Sequence, residues 1–354
     1  MMKRNILAVV IPALLVAGTA NAAEIYNKDA NKLDLTGRVK AGYNFNNQSE
    51  NNEDTTSARL GFKGQTQITS DLTGYGTFES QFNGSNAEDS SDNNAKTRKA
   101  FAGLKFADFG SLDYGRNVGV AYNGLAYTDV LPENGGDSSV TDTLTSRLSS
   151  AATFNTTNFF GLVDNLGFGL QYVAKNESGT RIDRSHGDAW ATSLSYDTDF
   201  GVGVVASYGS QERTATQRAS TAGGERADVW ATGLKYDANN IYVAATYGEG
   251  RNFFRPNASI LADESKIFEV VAQYNFDFGL TPTIAYVSRK DKVNTNADVS
   301  GYAVKYASVG ATYAFNKNFS TYAEYDISLL DKDQNKTFGK ENNDTVSVGV
   351  IYQF

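Results

Sequence analysis

The feature that most constrains this chain is a period-two alternation that recurs from Leu33 to the last residue. In Leu33–Phe45 the apolar or small set is Leu33, Leu35, Gly37, Val39, Ala41, Tyr43 and Phe45. The interleaved set is Asp34, Thr36, Arg38, Lys40, Gly42 and Asn44. Side chains alternate across a β-strand, so one face of this segment is apolar and the other polar or charged. Ala58–Ile68 repeats the pattern, with Leu60 and Phe62 set against Arg59, Lys63, Gln65 and Gln67. Trp190–Tyr196, Trp230–Tyr236, Ile241–Tyr247 and Val346–Phe354 do the same.

The connections between these segments alternate as well. Short ones such as Asp197–Asp199, Asp237–Asn240, Asp277–Gly279 and Asn316–Asn318 take turns with long ones. The long set is Asn46–Thr56, Asn83–Ala95, Val118–Thr143, Asn176–Gly187, Gln211–Ala227, Gly250–Ser265, Lys290–Gly301 and Leu330–Asn343, all rich in Asn, Asp, Ser and Gly. That rhythm belongs to an up-and-down antiparallel barrel whose two rims face different compartments. Eight long loops imply about 16 strands, a size that leaves a water-filled lumen. The composition agrees: 20 Tyr, 21 Phe and 33 Gly stand against 4 Pro, at a mean hydropathy of only −0.40. Strand ends marked by Tyr196, Tyr236, Tyr274, Phe315 and Phe354 suit an interfacial aromatic girdle. The expected fold is an all-β transmembrane barrel.

The N-terminus carries Lys3 and Arg4, an apolar run Ile6–Gly18, and the small residues Ala20-Asn21-Ala22. This pattern predicts a cleaved signal peptide over residues 1–22, leaving 23–354 as a single barrel domain. Loss of Lys3 and Arg4 moves the formal net charge from −8 to −10. Without any Cys, the exported chain has no disulfides, thiol nucleophile or Cys-based zinc site. His186 is the single His, and no Gly-x-Ser-x-Gly elbow is present. A barrel enzyme would need an activated nucleophile with its base, so no catalytic residue, metal or cofactor is expected, and no nucleic-acid partner.

One stretch lacks any period. Tyr127–Asp137 holds the carboxylates Asp129, Glu133 and Asp137, together with Pro132 and Gly135-Gly136. Residues of this kind make an irregular polar loop, and alone they would read as a surface connector.

Several motifs spread along the chain give this loop a more specific reading. They are Glu24-Ile25-Tyr26-Asn27-Lys28-Asp29, Ala58-Arg59-Leu60-Gly61-Phe62-Lys63-Gly64, Asp71-Leu72-Thr73-Gly74-Tyr75-Gly76, Phe101-Ala102-Gly103-Leu104-Lys105, Asp113-Tyr114-Gly115-Arg116-Asn117, Trp230–Tyr242 and Val350-Ile351-Tyr352-Gln353-Phe354. Through them the whole chain resembles the general bacterial porins of Gram-negative outer membranes, the enteric OmpF and OmpC type. The resemblance implies a homotrimer of 16-stranded barrels, each with its own pore narrowed by an inward-folded third long loop. Where the family reads Pro-Glu-Phe-Gly-Gly-Asp in that loop, this chain has Pro132-Glu133-Asn134-Gly135-Gly136-Asp137.

Matched position by position, Arg59, Arg98 and Arg147 fall on the basic pore wall, and Arg38 where relatives carry a basic residue. Asp129 and Glu133 fall on the acidic loop, with Asp137 beside them; Lys40, Lys63, Lys96, Tyr122 and Tyr127 are further lining candidates. Phe354 with Tyr352 resembles the C-terminal signal read by the barrel-assembly machinery. Asn83–Ala95 resembles a loop that latches a neighbouring subunit, with Glu88 as its acid and Arg116 as the partner. Outer-membrane lipid and lipopolysaccharide would surround such a barrel, and a phage or bacteriocin would meet it through the long loops.

The expected function is a non-specific diffusion pore for ions and small hydrophilic solutes, with a charged constriction and a mild cation preference. Two alternatives stay open at this point. A sugar-specific channel would carry an aromatic path along the lumen, and a barrel enzyme would use Asp129 and Glu133 as an acid–base pair.

Overall fold

The computed structural model describes residues 23–47, 52–86, 95–135, 143–177, 185–220, 223–256, 261–294, 298–331, 338 and 343–354. The expected signal peptide therefore lies outside the described residues. The strands are β1 (Ala23–Lys28), β2 (Asn31–Asn46), β3 (Glu53–Asp54), β4 (Ser57–Gln67), β5 (Leu72–Asn83), β6 (Lys96–Phe106), β7 (Gly110–Val118), β8 (Arg147–Thr156) and β9 (Leu166–Val173). They continue with β10 (Ala189–Asp197), β11 (Val202–Glu212), β12 (Arg226–Ala238), β13 (Ile241–Arg251), β14 (Glu264–Tyr274), β15 (Leu280–Asn294), β16 (Asp298–Ala314), β17 (Phe319–Ser328) and β18 (Thr345–Gln353).

Sixteen of these close into one antiparallel ring. From β4 onward each pairs with the next in the chain, β2 pairs with β4, and β18 returns to β2 over Arg38–Asn46. The two remaining strands are short. β3 touches β2 only at Tyr43 and Asn44. β1 lies against β2 from Asn31 to Leu35, continuing the edge that β18 leaves at Arg38. The two ends of the chain thus meet on one strand, and the ring has no open edge. Closure matters in lipid, where an unpaired backbone group has no water to bond.

The alternation sorts residues as the sequence predicts. Val39, Tyr43, Phe45, Leu60, Phe62, Trp190, Leu194, Leu234 and Ile284 are all exposed on the outer face. Their neighbours on the other parity, such as Lys235, Thr246, Glu269 and Glu324, are buried inside the ring. A soluble domain would show the reverse; an apolar exterior around a polar interior suits lipid outside and water within. The short rim is made by local turn chemistry. Asn239 and Asn240 both adopt positive φ, 55° and 63°, which a two-residue hairpin between β12 and β13 requires and Asn tolerates well.

One connection differs from expectation. Lys290–Gly301 was expected as a long loop, yet β15 and β16 stay paired out to Asn294 and Asp298. The alternation does not stop there: Val293 and Val299 face each other across the ladder, so strand pairing continues through the expected loop.

A second difference concerns the lumen. The inner face of β9 to β14 is not uniformly polar; Val173, Ala191, Val229, Ala231 and Ile267 form a dry cluster with Val120, Leu125 and Leu144. These last three belong to the chain between β7 and β8, which must therefore lie inside the barrel.

Candidate functional site

The β7–β8 connection begins with two short 3-10 turns, Val120–Gly124 and Ala126–Thr128. Its residues then touch the inner wall strand by strand. The Val120 amide donates to Gln171 Oε1 on β9 at 3.1 Å. Asn123 donates to Ser193 on β10 at 2.9 Å, and Ser207 on β11 donates to the Ala121 carbonyl at 2.8 Å. Tyr242 on β13 donates to the Tyr127 carbonyl at 2.6 Å, and Thr128 donates to Glu269 on β14 at 2.5 Å. Gln273 on β14 reaches the Val130 carbonyl at 3.0 Å.

The end of the path meets β17, β18 and β2. Backbone amides of Glu133 and Asn134 donate to the two oxygens of Glu324, each at 3.0 Å. The Asn134 side chain donates to Asp326 at 2.7 Å and to Ser347 at 3.2 Å. Glu133 receives Lys40 Nζ at 2.5 Å and the Tyr322 hydroxyl at 2.8 Å. The segment thus runs along the inside of the ring from β9 to β2.

This close approach needs small residues. A Cβ on Gly124 would sit 2.4 Å from Ser207 Oγ and 2.7 Å from the Ala231 carbonyl oxygen. One on Gly119 would sit 2.0 Å from the Leu144 carbonyl oxygen. Small wall residues and glycines together let loop and wall pack at van der Waals distance.

Among the described residues, the loop covers the β9–β18 side, reaches β2 through Lys40, and leaves the β4–β8 wall bare. On that wall stand Arg59 (β4), Arg98 (β6) and Arg147 (β8), with Arg38 (β2) at its edge, close enough to repel one another electrostatically. Arg59 Nε donates to Gln81 at 2.8 Å, and Arg98 Nε pairs with Glu79 at 2.6 Å. Glu133 lies within electrostatic reach of Arg38. On the loop, the Tyr122 hydroxyl donates to Asp129 Oδ2. Burial and that carboxylate push the Tyr122 phenol upward, so it stays a protonated donor to Asp129.

The remaining sequence candidates divide. Lys40 is committed to Glu133, which the sequence did not indicate. Tyr127 packs its ring under Lys235 Nζ at 4.8 Å and is buried, so it anchors the loop to β12 rather than lining open water. Tyr122 is turned toward the loop's own Asp129. Lys63 and Lys96 are exposed on β4 and β6. Arg116 sits where the β7–β8 register shifts and donates to the Thr97 carbonyl at 2.8 Å. Asp137 and Glu88 lie outside the described residues. At the chain end, Phe354 exchanges backbone hydrogen bonds of 2.9 Å with Gly37, and Tyr352 is exposed on the outer face.

Some residues of the site were missed. Glu324 and Asp326 are on the polar parity of β17, so alternation placed them inside, but nothing local linked them to Asn134. Lys99 was missed for a different reason. β5 and β6 pair Glu79 with Lys99 and Ser80 with Thr97, so Arg98 is the extra residue of a β-bulge. A bulge resets parity, and strict counting cannot detect it.

A closed barrel with an apolar exterior, a polar interior and a carboxylate-bearing loop beside an arginine wall defines a membrane channel. Comparisons with known proteins narrow this class. The family model for Gram-negative porins matches residues 28–354. The chain is 54% identical, over the full length of both proteins, to outer membrane porin F of Escherichia coli, and 50% identical to outer membrane protein F of Serratia marcescens, again over both full lengths. Among solved structures, OmpF of Salmonella typhi in complex with daunomycin superposes with a TM-score of 0.87 at 42% identity, covering 94% of this chain and all of that one. The chain belongs to the Gram-negative porin family. It is an outer-membrane β-barrel that forms a non-specific diffusion pore.

Proposed function

We propose that the pore works through an electrostatic waist, in which Asp129 and Glu133 on the inner loop oppose Arg38, Arg59, Arg98 and Arg147 on the bare wall. The observation that carries this reading is the strand-by-strand path of the loop, whose described residues leave Arg59, Arg98 and Arg147 on a wall they do not cover and bring Glu133 beside Arg38. Opposite charges on facing walls set up a transverse field across a narrow aqueous section. Hydrated polar solutes turn with that field, whereas apolar ones lose hydration without compensation. Wall charge also biases ion traffic within a Debye length of about 8–10 Å. A formal net charge near −10 after removal of residues 1–22 and the acidic loops favour a mild cation preference.

The assembly reading follows the relatives: three copies, each conducting through its own lumen, inserted by way of the Phe354 segment. Planar-bilayer recording of the purified protein tests both parts. Three equal closing steps and a cation-selective reversal potential in a KCl gradient are expected. A single step, an anion-selective sign, or block by maltodextrin would count against these readings, the last in favour of a sugar-specific channel.

A further inference from the structure

We propose that Lys99 is a selectivity-determining residue of this pore, an additional lumen cation delivered by the β6 bulge that draws anionic solutes along the arginine wall. The proposal deepens the electrostatic waist described above and rests on it. Three observations carry it.

The first is placement. Across an antiparallel ladder paired residues share a face, and Lys99 pairs with Glu79, whose carboxylate faces the lumen and holds Arg98. Beyond the bulge the outer parity is Ala102, Leu104 and Phe106, so Lys99 stands on the inner parity with Phe101 and Gly103. Because Arg98 is the inserted residue, two consecutive cations point into the same lumen. Without the bulge one of them would face lipid, at about 2–4 kcal/mol near the midplane.

The second is surroundings. Among the described residues, Glu79, Lys63, Arg98 and Arg147 act electrostatically on Lys99. Glu79 also acts electrostatically on Arg59 and Arg147. Among the described residues the Glu79 carboxylate is thus shared by Arg59, Arg98, Arg147 and Lys99, and Arg98 already holds it by a 2.6 Å contact.

The third is the far side of the waist. Glu133, one of the two loop acids facing this wall, is committed to Lys40 at 2.5 Å. Among the described residues, cations on the β4–β8 wall therefore outnumber the acids beside them, although the chain as a whole is acidic. Lys99 extends that positive track from Arg98 toward Lys63, on the short-turn side of the waist, and gives a carboxylate- or phosphate-bearing solute a continuous succession of partners.

The test is reversal potential in a KCl gradient for the wild-type protein, Lys99→Gln, Lys99→Met, Lys99→Arg and the control Lys105→Gln, which removes a lysine nearer the short rim. Lys99→Gln and Lys99→Met should raise the cation-to-anion permeability ratio about twofold at 0.1 M salt, with the difference screened at 1 M. Lys99→Arg should keep the wild-type value, and Lys105→Gln should move it much less. Equal shifts from Lys99→Gln and Lys105→Gln, or none from Lys99→Gln and Lys99→Met, would overturn the proposal while leaving the pore intact. A wild-type protein that passes no current would instead overturn the pore reading, and the role of Lys99 with it. Either neutral variant suffices, so misfolding of one does not block the outcome.

Discussion

The side-chain amide of Asn134 donates to Asp326 Oδ2 at 2.7 Å, at a position where the family pattern has Phe. The same amide donates to Ser347, while the backbone amides of residues 133 and 134 hold Glu324. The loop tip is therefore fixed by polar bonds to β17 and β18 rather than by an aromatic ring.

Truncating that amide should loosen the tip. Hydrogen bonds to a charged group contribute about 1.5–3 kcal/mol each, so Asn134→Ala should leave the barrel folded but the constriction less firmly held. Single-channel records should show noisier open current and closure at lower voltage. Asn134→Phe should do the same, because it takes the donor away from Asp326 and places a ring against a carboxylate. Open current as steady as the wild type in both variants would mean that Glu324, Lys40 and Tyr322 hold the tip without the Asn134 side chain.

The Glu133–Lys40 pair predicts a change of selectivity. Glu133→Gln removes a loop charge and leaves the Lys40 ammonium, 2.5 Å away, uncompensated beside Arg38. Reversal potential should move toward anions, more at low salt than at high. Lys40→Gln should move it the opposite way, and the double variant should fall near the wild type.

Charge removal on the bare wall should widen and bias the waist together. Arg59→Gln keeps the shape of the hydrogen bond to Gln81, which is 2.8 Å long in the wild type, but removes one of four clustered cations. Cation preference should rise and bulky cationic solutes should permeate faster in liposome swelling. Arg147→Gln should act similarly, since both arginines face Arg98.

Phe354 lies over Gly37, where an added Cβ would come within 2.2 Å of the ring. Gly37→Val should displace the ring and disturb the 2.9 Å backbone bonds that close β18 onto β2. Refolding into vesicles, followed by the heat-dependent shift of the folded band on gels, should slow markedly. Gly223→Ala, whose added Cβ would meet nothing within 4 Å, should affect neither measure much beyond its own backbone strain.

The outer face offers a test of depth. Leu234 is 56% exposed in the middle of β12 and faces lipid. Leu234→Arg should cost about 2–4 kcal/mol in denaturant unfolding from vesicles, and Lys235, one residue on, should show how far orientation matters. Its ammonium is buried inside the barrel at 2.9 Å from Asp197, so Lys235→Leu should lose that pair rather than gain lipid contact.

Much of this protein is determined by the sequence alone, because strand geometry has a fixed period. Alternation in Leu33–Phe45 or Trp230–Tyr236 decides which side chains meet lipid, and the long–short rhythm of connections decides the sense of the barrel. The family motifs carry Arg59, Arg98, Arg147, Asp129 and Glu133 to their places. Tertiary structure decides whatever depends on which strands close the ring. Asn134 meets Asp326, 192 residues later, only because β18 returns to β2 and the loop spans the lumen between them. Glu133 finds Lys40 by the same closure. Lys99 points inward because one inserted residue resets the parity of β6, a displacement of register that local sequence does not encode and only the pairing with Glu79 reveals.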